Sequence, residues 1–327
     1  MADYKALKGF NVESLAADPS VKTSGQVWYN TTGAVLKYSA NAAAAAWSSA
    51  TATPTALMGG AAAGTSTAAL VWGGTPGPVA TTFEYDGTTW TAGGTYPISQ
   101  NRASGFGTQT AALGAGGNVP PQSDVANTYN GSTWTTSPAL NTARSAAPAF
   151  GTQTAAILAG GWTAPTRVST VEEFNGTSWT AVTSMPAVKA DGGGGGTSTA
   201  GLGFLGTDAP GAGGRVATSY SYNGSSWTTT NACNTARSGV GSGGTTETTT
   251  MTYGGEPPAY IADTEQFNGT SWTEVANLAT ARQAIFNPLS QGTQENQLCI
   301  MGDTGTAVTS VEEWQGSPRP TKTVTVT

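Results

Sequence analysis

Five basic residues recur along the chain at nearly even spacing: Arg102, Arg144, Lys189, Arg237 and Arg282. Each precedes a short run of small residues. Brought to a common axis by a repeat, they could form an anion-binding ring, because converging cations hold phosphate, sulfate or carboxylate. Glutamates recur too, at Glu84, Glu172, Glu173, Glu265, Glu312 and Glu313. The second reading is therefore that each cation pairs with an acid inside the repeat. A different set is aromatic. Trp72, Trp162 and Tyr260, with Arg167 nearby, fall in segments that vary between repeats, where exposed rings could stack on sugars. Histidine is absent from the chain. That removes the usual general base, the usual zinc ligand and any Ser-His or Cys-His nucleophile pair. No catalytic residue, metal ligand or cofactor site is assigned.

The 327 residues carry only 10% charged side chains and a net charge of −6. Glycine, alanine, threonine and serine fill the difference, and aromatic residues are plentiful. Such a chain buries a core and favours short strands with tight turns. No basic run exists, so nucleic acid is not an expected partner. No apolar stretch approaches a membrane span. The opening "MADYKALKGF" lacks the apolar centre of a secretory signal, which points to synthesis in a cytoplasm. Cys233 and Cys299 have no metal-type spacing and read as two unpaired thiols.

The elements that must place these residues are repeats. "DGTTWT" begins at Asp86, "NGSTWT" at Asn130, "NGTSWT" at Asn175, "NGSSWT" at Asn223 and "NGTSWT" at Asn268. The tryptophans Trp90, Trp134, Trp179, Trp227 and Trp272 are 44, 45, 48 and 45 residues apart, and Trp47 lies 43 before Trp90. A period in the middle forties suits a four-stranded propeller blade. Asn-Gly and Asp-Gly accept the positive φ of a hairpin turn, so the phrase reads as architecture rather than as a glycan acceptor. A second mark is the glycine pair, as in Gly73-Gly74, Gly116-Gly117, Gly160-Gly161 and Gly254-Gly255. The fourth unit lacks a clean pair in "GFLGTDAPGAGG". The run Gly192–Gly196 is read as a strand passing close to its neighbours, not as a phosphate loop.

With these marks the chain resembles the kelch repeat over residues 47–315. The matching residues include Gly73, Gly74, Tyr85 and Trp90 in one unit, and Gly160, Gly161, Phe174 and Trp179 in another. The resemblance implies an all-β, six-bladed β-propeller with four strands per blade, and leaves function open. The turn phrase also resembles the Asp-box of sialidases, but only Asp86 keeps the acid. Copper chemistry known on kelch propellers needs histidines that this chain does not have.

The last unit stops after "SVEEWQG" with no fourth strand, while "AWSSATATP" at 46–54 looks like a fourth strand without a blade. The expectation is a ring closed by the strand near Trp47 completing the C-terminal blade. This divides the chain into an N-terminal arm (1–45), a propeller (46–316) and a tail (317–327). In the arm, "GQVWYNTTGAVLKYS" alternates around Thr32-Gly33 as a hairpin. Gly25–Lys37 resembles short segments of tailed-phage fibre and other virion proteins. That resemblance implies a virion location and a non-enzymatic structural role as fibre, appendage or capsid decoration. It implies anchoring to other virion proteins through Trp28, Tyr29, Leu36 and Tyr38, multiple copies per particle, and a propeller displayed towards a host-surface glycan or protein. The alternative is a carbohydrate-binding or sialidase-like propeller. "TKTVTVT" alternates like a strand that could add to a sheet edge.

Overall fold

A computed structural model describes residues 13–17, 27–39, 45–209, 214–257, 259–285, 291–316 and 321–324. The chain divides into two compact units, residues 47–315 and residues 1–46 with 316–327. The larger is an all-β, six-bladed β-propeller. Five blades are four-stranded antiparallel sheets whose strands follow chain order. The third blade is typical, with strands Ala149–Gly151, Ala156–Ala159, Val171–Phe174 and Trp179–Val182. The sixth sheet contains Asn296–Ile300, then Val311–Gln315, then Ala46–Ala50. The early strand thus supplies the outer position of the last blade. Residues 286–290, which precede Asn296–Ile300 in this blade, lie outside the described residues.

The innermost strands adjoin one another around the axis, from Ala61–Thr65 through Ser104–Thr108, Ala149–Gly151 and Gly193–Thr197 to Gly241–Gly243. Space there is short, which explains their composition. A Cβ on Gly194 would stand 2.5 Å from the Ala149 carbonyl oxygen, and one on Gly105 2.1 Å from that of Ala62. The glycine run at 192–196 is therefore a strand at closest approach to its neighbours.

Each outer hairpin is built the same way. In the third blade the Asn175 Oδ1 accepts from the Thr177 amide (2.9 Å), the Ser178 amide (2.9 Å) and the Thr177 hydroxyl (2.8 Å). Gly176 holds the positive φ of 93°. At Asp86 four such donors, the Thr89 amide first, hold the carboxyl well below the usual carboxylate range. The turn brings Phe174 onto Trp179 with ring centroids 5.0 Å apart, and the other blades repeat this pair.

The outer tryptophans then join the blades. Trp134 Nε1 donates to Thr82 Oγ1 (3.2 Å), Trp272 Nε1 to Ser219 Oγ (3.1 Å) and Trp47 Nε1 to Thr264 Oγ1 (3.0 Å). Each acceptor opens the third strand of the preceding blade. In the second blade that place is Ala126, and the buried Trp179 Nε1 has no partner among the described residues. Ala126→Ser therefore supplies the missing acceptor. It is expected to raise stability by about 1 kcal/mol, the usual net worth of a hydrogen bond. Chemical denaturation checks this, with Ala126→Val as the apolar control.

The smaller unit is a four-stranded sheet ordered Glu13–Leu15, Val27–Asn30, Val35–Ser39, Thr321–Val324. The hairpin turns through Thr31–Ala34, with the Gly33 amide donating to Asn30 Oδ1 (2.8 Å). Trp28 and Leu36 are buried within it, and Tyr29 is half-buried. The backbone of Tyr38 lies in the third strand; its side chain is outside the described residues. The C-terminal strand pairs with this hairpin, Lys322 opposite Tyr38, so the tail adds an edge to its own chain.

Candidate functional site

One position in each blade turns into the left-handed region. The six are Gly59 (φ 63°), Arg102 (54°), Ala146 (55°), Asp191 (56°), Gly239 (66°) and Ala284 (46°). For the four that are not glycine, this conformation is costly and persists only where its surroundings hold it. Backbone hydrogen bonds do so. Each amide donates to the equivalent carbonyl of the preceding blade: Gly59 to Ala284 (2.7 Å), Arg102 to Gly59 (2.6 Å), Ala146 to Arg102 (2.9 Å), Asp191 to Ala146 (2.8 Å) and Gly239 to Asp191 (2.9 Å). The sixth step, from the Ala284 amide to the Gly239 carbonyl, has no such bond among the described residues. The two positions are nevertheless neighbours, since a Cβ on Gly239 would stand 3.2 Å from the Ala284 amide nitrogen.

This circle lines a cavity of about 340 Å³ on the propeller axis. The volume falls within the range of small-molecule sites. Further walls come from residues just before the circle (Met58, Asn101, Ser238, Gln283) and from residues just after the glycine pairs (Thr75, Glu256, Asp303). These two sets pair by single bridges, Met58 with Thr75, Ser238 with Glu256 and Gln283 with Asp303. Arg102 Nη1 pairs with Asp191 Oδ1 across the cavity (3.2 Å). Glu256 pairs with Arg215 (3.0 Å). Asp303 Oδ2 accepts from the Tyr260 hydroxyl (2.8 Å), and its Oδ1 from the Gly305 amide (2.8 Å). The carboxylate beside it keeps the Tyr260 phenol protonated, pushing its pKa up.

The five basic residues do not form an anion-binding ring. Arg102 alone stands at the circle, with 53% of its side chain exposed. Arg144, Lys189, Arg237 and Arg282 lie two residues before it, where the side chain turns into the blade. Arg144 is 1% exposed. Its Nη1 donates to the carbonyls of Gly160 (2.8 Å) and Thr170 (2.9 Å), and its Nη2 to Glu172 Oε1 (2.7 Å). Glu172 Oε2 accepts from the Asn141 amide (2.7 Å). Arg237 pairs with Glu265 and Arg282 with Glu312, each at 2.6 Å. Desolvation lowers the Arg144 pKa, and the Glu172 charge opposes that. The residue equivalent to these cations in the second blade is Gln100, not Arg102.

The partner changes with the cation. Glu172, Glu265 and Glu312 each stand second in the third strand of their blade. In the fourth blade that place is Tyr220, and Lys189 Nζ lies 5.4 Å from its ring centroid. In the first blade the pair is Leu57 and Phe83, packed in one apolar cluster. In the second it is Gln100 and Asn127, flanking the buried Tyr96 hydroxyl, whose pKa burial pushes up to about 12. One buried junction is thus built in four chemistries.

Lys189 Nζ also donates to the carbonyls of Leu205 and Thr218. Burial lowers its pKa from 10.5 to about 8. Between those values the unfolded chain holds a proton that the folded one has lost, so this lysine makes stability rise with pH across that window. Lys189→Met removes the rise. Its stability relative to the parent is expected to fall by about 2 kcal/mol between pH 8 and pH 10, measured by urea unfolding at both.

Of the aromatic candidates, Trp72 is buried against Tyr96 and Trp134 and faces no ligand. It belongs to a second strand, whose side chains fill the space between blades. Trp162 and Arg167 sit together at a loop rim, the guanidinium carbon 5.1 Å from the ring centroid, with Arg167 Nε donating to Thr207 Oγ1 (2.7 Å). Tyr260 reaches the cavity wall through Asp303. Cys233 and Cys299 are buried free thiols whose pKa burial pushes up to about 12. Asp191, Glu256, Asp303, Gln283 and Arg215 are the polar groups that sequence reasoning missed. The signal was positional: Glu256 and Asp303 directly follow Gly255 and Gly302. Among the described residues, no cluster of three His, Cys, Asp or Glu could hold a metal, and no helix is long and apolar enough to cross a membrane.

No family model matches the chain, and no curated protein matches it. A solved structure of YjhT is similar, with a TM-score of 0.69 and 13% identity. The match covers 84% of this chain and 99% of that one. At this identity the likeness shows shared architecture, and the architecture is the propeller.

Proposed function

We propose that this chain is a non-enzymatic, carbohydrate-binding propeller of kelch type, carried on a tailed-phage particle. The observation that supports binding is the axial cavity lined by the circle. A sugar hydroxyl both donates and accepts, which suits a wall of mixed polar groups. Asn101, Gln283 and Ser238 add further donors and acceptors to the wall. Trp162 on the same loop system offers a ring face for stacking. The smaller unit is the proposed anchor to other virion proteins, with Trp28 and Leu36 as its core and Tyr29 and Tyr38 on the same hairpin.

The test is a glycan array probed with the full chain, beside the Ala146→Gln variant. Arg102 shows that a long side chain is accepted at this backbone position, so the variant should fill the cavity and leave the melting midpoint unchanged. Binding is expected to fall at least about tenfold. Retention of no glycan by the parent chain would sink the reading. Antibody labelling of particles checks the virion location.

Sialidase-like hydrolysis is the second reading, favoured by the Tyr260–Asp303 contact, which sets a phenol beside a carboxylate at the cavity wall. Weighing against it, Arg102 is the one arginine on the cavity wall among the described residues and already pairs with Asp191. Release of product from an aryl sialoside, lost in Tyr260→Phe, would establish this reading instead.

A further inference from the structure

We infer that the axial cavity selects protonated amino sugars over neutral or acidic ones, an inference that rests on the carbohydrate-binding reading. The wall carries four charged side chains: Arg102, Asp191, Glu256 and Asp303. Two of the three acids are already answered by cations, Asp191 by Arg102 at 3.2 Å and Glu256 by Arg215 at 3.0 Å. Asp303 has no cation partner among the described residues. Its contacts are the Tyr260 hydroxyl, the Gly305 amide and the Gln283 amide nitrogen at 3.5 Å. All three are neutral, so the cavity keeps one uncompensated negative charge.

The charge is placed on the sixth blade: Asp303 is bridged to Gln283, the residue before Ala284. Among the described lining residues the one cation, Arg102, is in the second blade and already paired with Asp191. A ligand that brings hydroxyls and an ammonium group answers the polar wall and the carboxylate together. A ligand carboxylate would meet Asp303 as a like charge.

The probes are glucosamine, N-acetylglucosamine and N-acetylneuraminic acid, titrated calorimetrically into the full chain at pH 6.5 and at low salt. Glucosamine is expected to bind about tenfold tighter than its N-acetyl form, with no detectable binding of the acid. Asp303→Asn, checked for an unchanged melting midpoint, is expected to bring glucosamine and N-acetylglucosamine to equal affinity, and added salt to narrow their gap in the parent chain. Equal binding of glucosamine and N-acetylglucosamine, or preference for the acid, overturns the inference while leaving carbohydrate binding in place. Failure of all three sugars and of the glycan array overturns both. The sugar series needs no variant, so a poorly folding Asp303→Asn does not blunt the test.

Discussion

Trp47→Ala is expected to lower the unfolding free energy by roughly 3–5 kcal/mol for the buried ring alone, and to cost more than the same change at Trp227. Both tryptophans occupy the start of an outer strand. Trp227 is half-buried in a blade that is continuous in the chain, stacks on Tyr222 and donates to the Thr183 carbonyl (2.9 Å). Trp47 is buried in a strand held only by its neighbours. It packs against Tyr253 and Trp314, at centroid distances of 4.9 and 5.5 Å, and bonds Thr264. Its strand is joined further at Thr53, whose amide donates to the Thr309 carbonyl (2.9 Å), and at Thr51, whose carbonyl accepts from Trp90 Nε1 (2.9 Å). Loss of Trp47 thus loosens three blades at once and exposes the edge of Val311–Gln315 for pairing with other chains. Trp47→Phe keeps the packing and gives up the bond, so an intermediate loss is expected. Melting curves with light scattering measure both effects; equal costs at Trp47 and Trp227 would refute the clasp.

The second large effect concerns the buried junction. Arg144→Leu leaves Glu172 charged and buried with its cation gone, a change that typically costs roughly 3–5 kcal/mol. Glu172→Phe leaves the arginine in the same condition. The double variant Arg144→Leu with Glu172→Phe copies the Leu57–Phe83 pair of the first blade and is expected to recover most of the loss. In the double variant the carbonyls of Gly160 and Thr170 lose the Arg144 donor and the amides of Asn141 and Thr142 lose the Glu172 acceptor, so recovery stays incomplete. A double-mutant cycle by denaturant unfolding gives the coupling, expected at 2 kcal/mol or more in order of magnitude. Additive losses would show that the junction is not a unit.

These two results depend on features of unequal visibility in sequence. The blade count was legible because Trp47, Trp90, Trp134, Trp179, Trp227 and Trp272 mark one structural place, and each Asn-Gly or Asp-Gly turn names its own geometry. The cavity was not. Four of the six left-handed positions are Arg102, Ala146, Asp191 and Ala284, residue types that do not announce positive φ. Hydrogen bonds from neighbouring blades impose that conformation, and such bonds leave no local trace. Arg102 also misled by its charge. Gln100 holds the place that arginine or lysine holds in four other blades, and the nearest cation, Arg102, stands two residues further on. The imperfect glycine pairs hid similarly, since Leu205 and Met301 take the left-handed conformation (φ 56° and 54°) before Gly206 and Gly302. Asp303 followed such a disguised pair, and the wall of the cavity went unread with it.

The clasp also sets a timetable for synthesis. Trp47 and the Thr264 hydroxyl it bonds are 217 residues apart in the chain. At ribosomal speeds of roughly 5–20 residues per second, the early strand waits on the order of 10–40 s for that partner to be made. During the wait, "AWSSA" is a short unpaired strand close to the edges of its own growing blades and of those on neighbouring ribosomes. Its alternation is weak, its length is five residues and its flanks are alanine-rich. A strand this poor at pairing early is well suited to pairing last. The final blade is therefore the last that can close, and a chain cut short before Thr264 would leave the ribosome as an open ring.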